Sequence, residues 1–398
     1  MEYTRRDLGK LALAASGAAL FGGPEALFAA LQQAPKPNSK LKGVQIGTIT
    51  YSYRSMPDQS AEATLKYVVD SGINAIEMMG APVTDYARKR SGFTPSVGAG
   101  GGRGGGGRGG PGGGGGARGG AARGGNAPEA AAPTGPMGSW NGEACALPQP
   151  ESGAGRAGGA AGPAPARGGG RGAPTPEQVA AAEEQRKWRQ SLSMDIFKDL
   201  RKMYNDAGVT IYAVKNIGGN MSDEELEFVF AVNEALGATH TTMELPEGPE
   251  AAATLKRLGD WGLKKKIYVA YHSHTQGSMT VFDQAFAASK GNRANVDLGH
   301  FVAGGNKGGT PIDFMNKFHD RVASFHLKDR TLPEHCALNL AWGKGETPIK
   351  EILQTVKKNK WKMPASIELE YTVPEGSDAV KEVQVSAVLP GRAGLGAC

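Results

Sequence analysis

Asn295-Val-Asp-Leu-Gly-His300, Ser324-Phe-His-Leu-Lys-Asp329 and Ser366-Ile-Glu-Leu-Glu370 follow one another along the second half of the chain, and their reading decides the fold. Each is a short apolar run that delivers Asp, His or Glu at its end, and a helix-like stretch separates each from the next. Three consecutive parallel strands that bring hard metal ligands to one rim are not explained by packing alone. Tyr268-Val-Ala-Tyr-His-Ser-His274 ends in the same way, with two imidazoles. The set reads as a divalent-metal site at the mouth of an α/β barrel, where the C-terminal ends of the strands converge.

Working outward, short β-branched or apolar runs alternate with amphipathic helical patterns. Strand one is Val44 to Thr50, strand two Asn74 to Met79, strand three Val209 to Lys215 and strand four His240 to Leu245. Strand five is Ile267 to His272, strand six Ala294 to Asp297, strand seven Val322 to His326 and strand eight Ala365 to Leu369. Helices are expected around Ala61 to Ser71, Trp188 to Ala207, from the cap Ser222-Asp-Glu-Glu225 to Leu236, up to Trp261, and from near Val281, Thr310 and Thr347. Eight such units in series specify an α/β protein of the (β/α)8 TIM-barrel kind, not an open doubly wound sheet. No Gly-rich phosphate turn follows a strand, which excludes dinucleotide and P-loop chemistry. The tail from Leu389 to Cys398 has the Pro and Gly content of a coil, so the closing helix is expected to be short.

The chain is 398 residues long, but 91–175 is a Gly/Ala/Arg/Pro-rich insertion after strand two with almost no large apolar side chains to offset the entropy of ordering it. It is expected to be disordered, which leaves one barrel over 40–398 of roughly 250 to 270 residues. The net charge of +6 owes much to arginines inside that insertion, so no nucleic-acid partner is expected. Thr4-Arg-Arg-Asp-Leu precedes a short, weakly apolar run to Phe21; 1–34 reads as a twin-arginine-type export leader, which places the protein in the periplasm or outside the cell. That run is too short for a membrane span. Cys145, Cys336 and Cys398 form no evident disulfide framework, and the odd count leaves at least one thiol free or intermolecular.

Glu244, His272, His274, Asp297, His326, Glu368 and Glu370 all fall at strand ends. A mixed O/N set without thiolate suits Mn, Co, Zn or Mg. Tyr271-His-Ser-His274, Asp297-Leu-Gly-His300, His326-Leu-Lys-Asp329 and Ile367-Glu-Leu-Glu370, in this order, resemble the xylose isomerase-like sugar isomerase/epimerase superfamily, which also contains the endonuclease IV fold.

The resemblance implies a metal held by one residue from each of strands five to eight, here His272, Asp297, His326 and Glu368. Many members have Glu at the strand-five position, so His274 and Glu244 stand as alternatives there. His300 and Lys328 match positions that meet substrate, with Glu370 beside them. Lys328 could equally pair with Asp329, and Trp342 is either a sugar platform or a packing residue. The implied activity is proton transfer beside the carbonyl of an unphosphorylated sugar, keto-sugar or cyclitol, with Glu244, Glu368 and His300 as the catalytic groups. The same site would serve a keto-glycoside lyase or dehydratase. An endonuclease IV-like repair enzyme and a non-catalytic sugar-binding barrel are the other readings, and a homo-oligomer is allowed.

Overall fold

The computed structural model describes residues 36–95, 137–148 and 175–392. The leader expected at 1–34 and most of the insertion lie outside the described residues. Eight parallel strands form one closed ring: β1 (Val44–Ile49), β2 (Ala75–Met79), β3 (Thr210–Lys215), β4 (His240–Glu244), β5 (Tyr268–His272), β6 (Asn292–Asp297), β7 (Val322–Leu327) and β8 (Ala365–Ile367). Neighbours in sequence are neighbours in the ring, and β8 pairs with β1 through Ala365↔Ile46, Ser366↔Gly47 and Ile367↔Thr48. This is the expected (β/α)8 barrel. Gly47 is required where β1 crosses its neighbours: a Cβ there would lie 2.8 Å from the Ala75 carbonyl oxygen and 3.0 Å from the Tyr212 ring.

The helices around the ring form for local reasons. Ser222 caps Asp223–Leu236 with a reciprocal box to Glu225, and Thr310 does the same with Asp313 ahead of Pro311–Phe318. Ile349, Ile352, Leu353 and Val356 make the buried stripe of Ile349–Lys358 at helical spacing. The closing helix is not short. It spans Ala379–Arg392, because Ala379 and Val383 are buried in the core and Tyr371 Oη donates to Glu382 at 2.5 Å, which ties the helix to the loop after β8.

The connection from β2 to β3 is the elaborate one. Gly80–Ser91 follows β2, then Pro176–Ser191 and Asp195–Asp206 precede β3. The expectation that 91–175 is disordered throughout is corrected at 137–148. There Met137–Trp140 pairs antiparallel with Glu143–Ala146 across Asn141 and Gly142, both with positive φ (51° and 86°), the requirement of a type I′ hairpin. The expectation of no disulfide is corrected with it: Cys145 is bonded to Cys336, with the Cα atoms 6.1 Å apart. The physical reason is close approach. Gly138 lies where a Cβ would be 2.8 Å from the Glu334 carbonyl oxygen and 3.0 Å from Cys336 Sγ, and the Trp140 ring sits 5.3 Å from that of His335. No helix among the described residues is long and apolar enough to cross a membrane.

Candidate metal centre

His272, Asp297, His326 and Glu368 end β5, β6 and β7 and follow β8, and each offers a ligand atom within 4.8 Å of the others. All four are buried. The register explains the convergence: His326 pairs with Asp297 and with Ser366, two residues before Glu368, and β-strand neighbours at that register share one face. Glu244 pairs with His272 in the ring but stands outside the cluster. Its half-exposed carboxylate accepts from Lys215 Nζ at 2.5 Å and lies 3.5 Å from His274 Nε2.

The charges are strongly coupled. His326 Nδ1 is 2.9 Å from Glu368 Oε2 and its Nε2 is 2.8 Å from Glu77 Oε2. Burial pushes this imidazole down, but Glu368 and Glu77 outweigh it and raise it to about 10. Lys328 Nζ reaches Glu370 at 2.5 Å, Glu368 at 2.8 Å and Asp297 at 3.0 Å. Its burial opposes the charge, and those three carboxylates more than restore it. Burial raises Asp297 in spite of Lys328, whereas Lys328 and His326 overcome burial to hold Glu368 well below the usual carboxylate range. Burial lowers His272 to about 3. Partial burial would raise Glu244, but His272, Lys215 and His274 hold it down to about 2.

A divalent cation fits this donor set. Four carboxylates, Glu77, Asp297, Glu368 and Glu370, gather round Lys328 and the imidazolium of His326, with Lys215 acting on Glu77 and Glu368 from farther off. Asp297 Oδ2 is buried with no hydrogen bond; Lys328 Nζ is 3.0 Å away but off hydrogen-bond direction. An unused carboxylate lone pair aimed into a histidine and carboxylate cluster is what a hard cation requires.

The structure also corrects sequence expectations. Trp342 is buried in the core and does not line the cavity at the mouth, so it is a packing residue and not a sugar platform. Asp329 does not pair with Lys328. It accepts from the backbone N–H groups of Gly343, Lys344, Gly345 and Thr347 at 2.7 to 3.1 Å, which folds the loop after β7. His300 Nδ1 accepts from Arg330 Nη1 at 2.5 Å, and its backbone N–H donates to Asp297 Oδ1 at 2.7 Å. Glu77 was not anticipated as a site residue. It is fully buried on β2 and accepts from Thr242 Oγ1 at 2.6 Å, from Asn295 Nδ2 at 2.9 Å and from His326.

His272, Glu368 and Glu370 form the floor of a cavity of about 1880 Å³, with Lys215, Glu244 and His274 at its side and an apolar flank that includes Trp188 and Val229.

No protein-family model matches the chain, and no curated protein matches it. Among solved structures it is similar to a sugar phosphate isomerase/epimerase from Parabacteroides distasonis, at 14% identity over 88% of this chain and 97% of that one, TM-score 0.47. It is also similar to a probable 3-DHS dehydratase involved in petrobactin synthesis from Bacillus anthracis, at 10% identity over 87% and 98%, TM-score 0.49. A D-psicose 3-epimerase matches at 10% identity over 53% of this chain and 86% of that one, TM-score 0.38.

Proposed function

We propose that this protein is a divalent-metal-dependent isomerase or epimerase of an unphosphorylated sugar, keto-sugar or cyclitol. One observation carries the reading: a buried four-ligand cluster, His272, Asp297, His326 and Glu368, meets through His272 and Glu368 a cavity also lined by Glu244 and Lys215, with the buried Lys328 ammonium against Glu368 and Asp297. When bound, a cation such as Mn, Co, Zn or Mg supplies Lewis acidity toward a carbonyl and its neighbouring hydroxyl. Lys215 keeps Glu244 ionised and ready to accept a proton. Glu244 takes the proton from the carbon beside the carbonyl, the C–H pair forms the new C=C bond, and the carbonyl π pair moves to oxygen beside the Lys328 ammonium. Inversion of that carbon needs a second acid to deliver a proton to its opposite face while Glu244 loses its own to solvent; return of the proton by Glu244 to the former carbonyl carbon gives the isomer. The leader read at 1–34 supports export to the periplasm or beyond.

A lyase or dehydratase is a second reading favoured by cavity size, because about 1880 Å³ exceeds the roughly 300 to 1,000 Å³ of an ordinary small-molecule pocket. It has room for a sugar that carries a leaving substituent. The test is deuterium wash-in from D₂O next to the carbonyl of a keto-sugar, read beside metal content. Glu244→Gln is expected to keep its metal and lose exchange, while Asp297→Ala loses the metal. Exchange at the parental rate in Glu244→Gln would remove Glu244 from the mechanism.

A further inference from the structure

Below the floor of the cleft runs a buried series of side chains whose hydrogen-bond directions follow from the Glu77 carboxylate at one end, which can only accept from Asn295 Nδ2. Thr239 Oγ1 donates to the Tyr212 carbonyl oxygen at 3.1 Å, and a carbonyl can only accept. That hydroxyl also lies 2.9 Å from His240 Nδ1, and it accepts from this nitrogen because Ser324, which accepts from Asn295 Nδ2, has His240 Nε2 as the acceptor for its own proton. His240 Nε2 therefore holds a lone pair and takes the hydroxyl proton of Ser324 at 2.9 Å. Ser324 Oγ in turn accepts from Asn295 Nδ2 at 2.8 Å, and the same amide nitrogen donates to Glu77 Oε2 at 2.9 Å. Two acceptors on one side fix the amide's orientation, so its oxygen must face His272 Nδ1, 3.2 Å away.

The consequence reaches two candidate cation sites. His272 belongs both to the cluster with Asp297, His326 and Glu368 and to a second cluster with His274 and His300. With Nδ1 protonated against Asn295, only Nε2 can bind a cation, so His272 cannot serve both. In the second cluster His300 Nδ1 faces the guanidinium of Arg330, always charged, and its Nε2 lies 3.0 Å from the Lys328 ammonium, so both ring nitrogens already meet cations and neither is open to a metal ion. In the first, Glu77 takes the Nε2–H of His326, so Nδ1, which the metal-free imidazolium directs at Glu368, is the nitrogen that would meet a cation.

We propose that Thr239, His240, Ser324 and Asn295 act as positioning residues that hold His272 as its Nδ1–H tautomer and, with Glu77 on His326 and Arg330 on His300, assign the cation to the four-residue cluster and not to the three-histidine one. This rests on the metal-dependent reading above. The partners of metal-bound histidines typically change metal affinity by about 10- to 100-fold when removed.

The test is nitrogen-15 NMR of the imidazoles in metal-free protein, with His272 assigned by its loss in His272→Gln, together with Co²⁺ titration. In the parent, His272 is expected as Nδ1–H. Asn295→Leu should populate the Nε2–H form and weaken Co²⁺ binding by about 10- to 100-fold, with the melting curve showing that the variant is folded. Ser324→Ala, a gentler break in the series, should move both in the same direction by less. His274→Gln should leave Co²⁺ affinity within about twofold. An Nε2–H form of His272 in the parent, retention of Nδ1–H in Asn295→Leu, or a loss of affinity in His274→Gln as large as in Asp297→Ala would overturn the proposal. Failure of the parent to bind Co²⁺ would overturn the metal reading instead, while the tautomer spectrum, read without metal, still decides what the series does to His272.

Discussion

Replacing Lys328 by Met should have opposite effects on stability and on metal affinity. The ammonium is buried and lies 2.5 to 3.0 Å from Glu370, Glu368 and Asp297. Without it those carboxylates face one another with His326 as the nearest cation. Removing one partner of a buried ion pair typically costs about 3 to 5 kcal/mol, because the remaining charge has lost its solvent and its partner. At about 2 to 4 °C per kcal/mol for a domain of this size, the metal-free variant should melt some 6 to 20 °C below the parent. A divalent cation supplies the missing charge, so Lys328→Met should bind Co²⁺ more tightly than the parent and recover most of the deficit. Cation at about 100 times its dissociation constant contributes about 2.7 kcal/mol. The assay is a pair of melting curves, one with chelator and one with Co²⁺, plus a calorimetric titration. Equal melting temperatures in chelator, or weaker Co²⁺ binding in the variant, would refute the account of Lys328 as the charge that occupies the cluster when no cation is there.

The remaining predictions concern acid stability and the cross-link. Burial lowers the imidazole of His240 to about 4 in the folded protein, although Glu77 opposes the shift, while the unfolded chain titrates near 6.5. As pH falls, the unfolded state takes up its proton first. The contribution of His240 is therefore complete above pH ~6.5 and lost progressively down to ~4, a loss of about 3 kcal/mol. His240→Gln should flatten that part of the stability profile relative to the parent, and parallel profiles would count against it. For the disulfide, mass mapping under non-reducing conditions should find Cys145 joined to Cys336; a bridge that uses Cys398 instead would contradict the hairpin's position. The bonded residues are 191 apart, for which unfolded-chain entropy predicts that Cys145→Ser lowers global stability by about 5 kcal/mol, measurable by denaturant unfolding.

The strand ends were legible because their signal is local. In each of Tyr271-His-Ser-His274, His326-Leu-Lys-Asp329 and Ile367-Glu-Leu-Glu370 the informative residues stand two apart, and period two on a strand puts them on one face. That periodicity also bears on Lys328. Adjacent residues on a strand point to opposite sides, so Lys328 shares its side with His326, and Asp329 turns away to cap the loop at Gly343 to Thr347. Strand geometry thus disfavours a pairing of Lys328 with Asp329. Asn141-Gly142 was equally available as a hairpin signal, but it lies in a chain segment so rich in glycine that a single Asn-Gly pair did not stand out. Glu77 is a different case. It is one acid in the apolar run Ala75-Ile-Glu-Met-Met79, and its partners Thr242, Asn295 and His326 are 165, 218 and 249 residues away. Thr239, Ser324 and Asn295 likewise look like ordinary small polar residues of short strands. Only the ring's register brings them under the cleft, and there the direction of each hydrogen bond depends on the one before it. A first layer of ligands can thus be read from motifs in single strands. The layer that determines which nitrogen each ligand offers exists only once the barrel has closed.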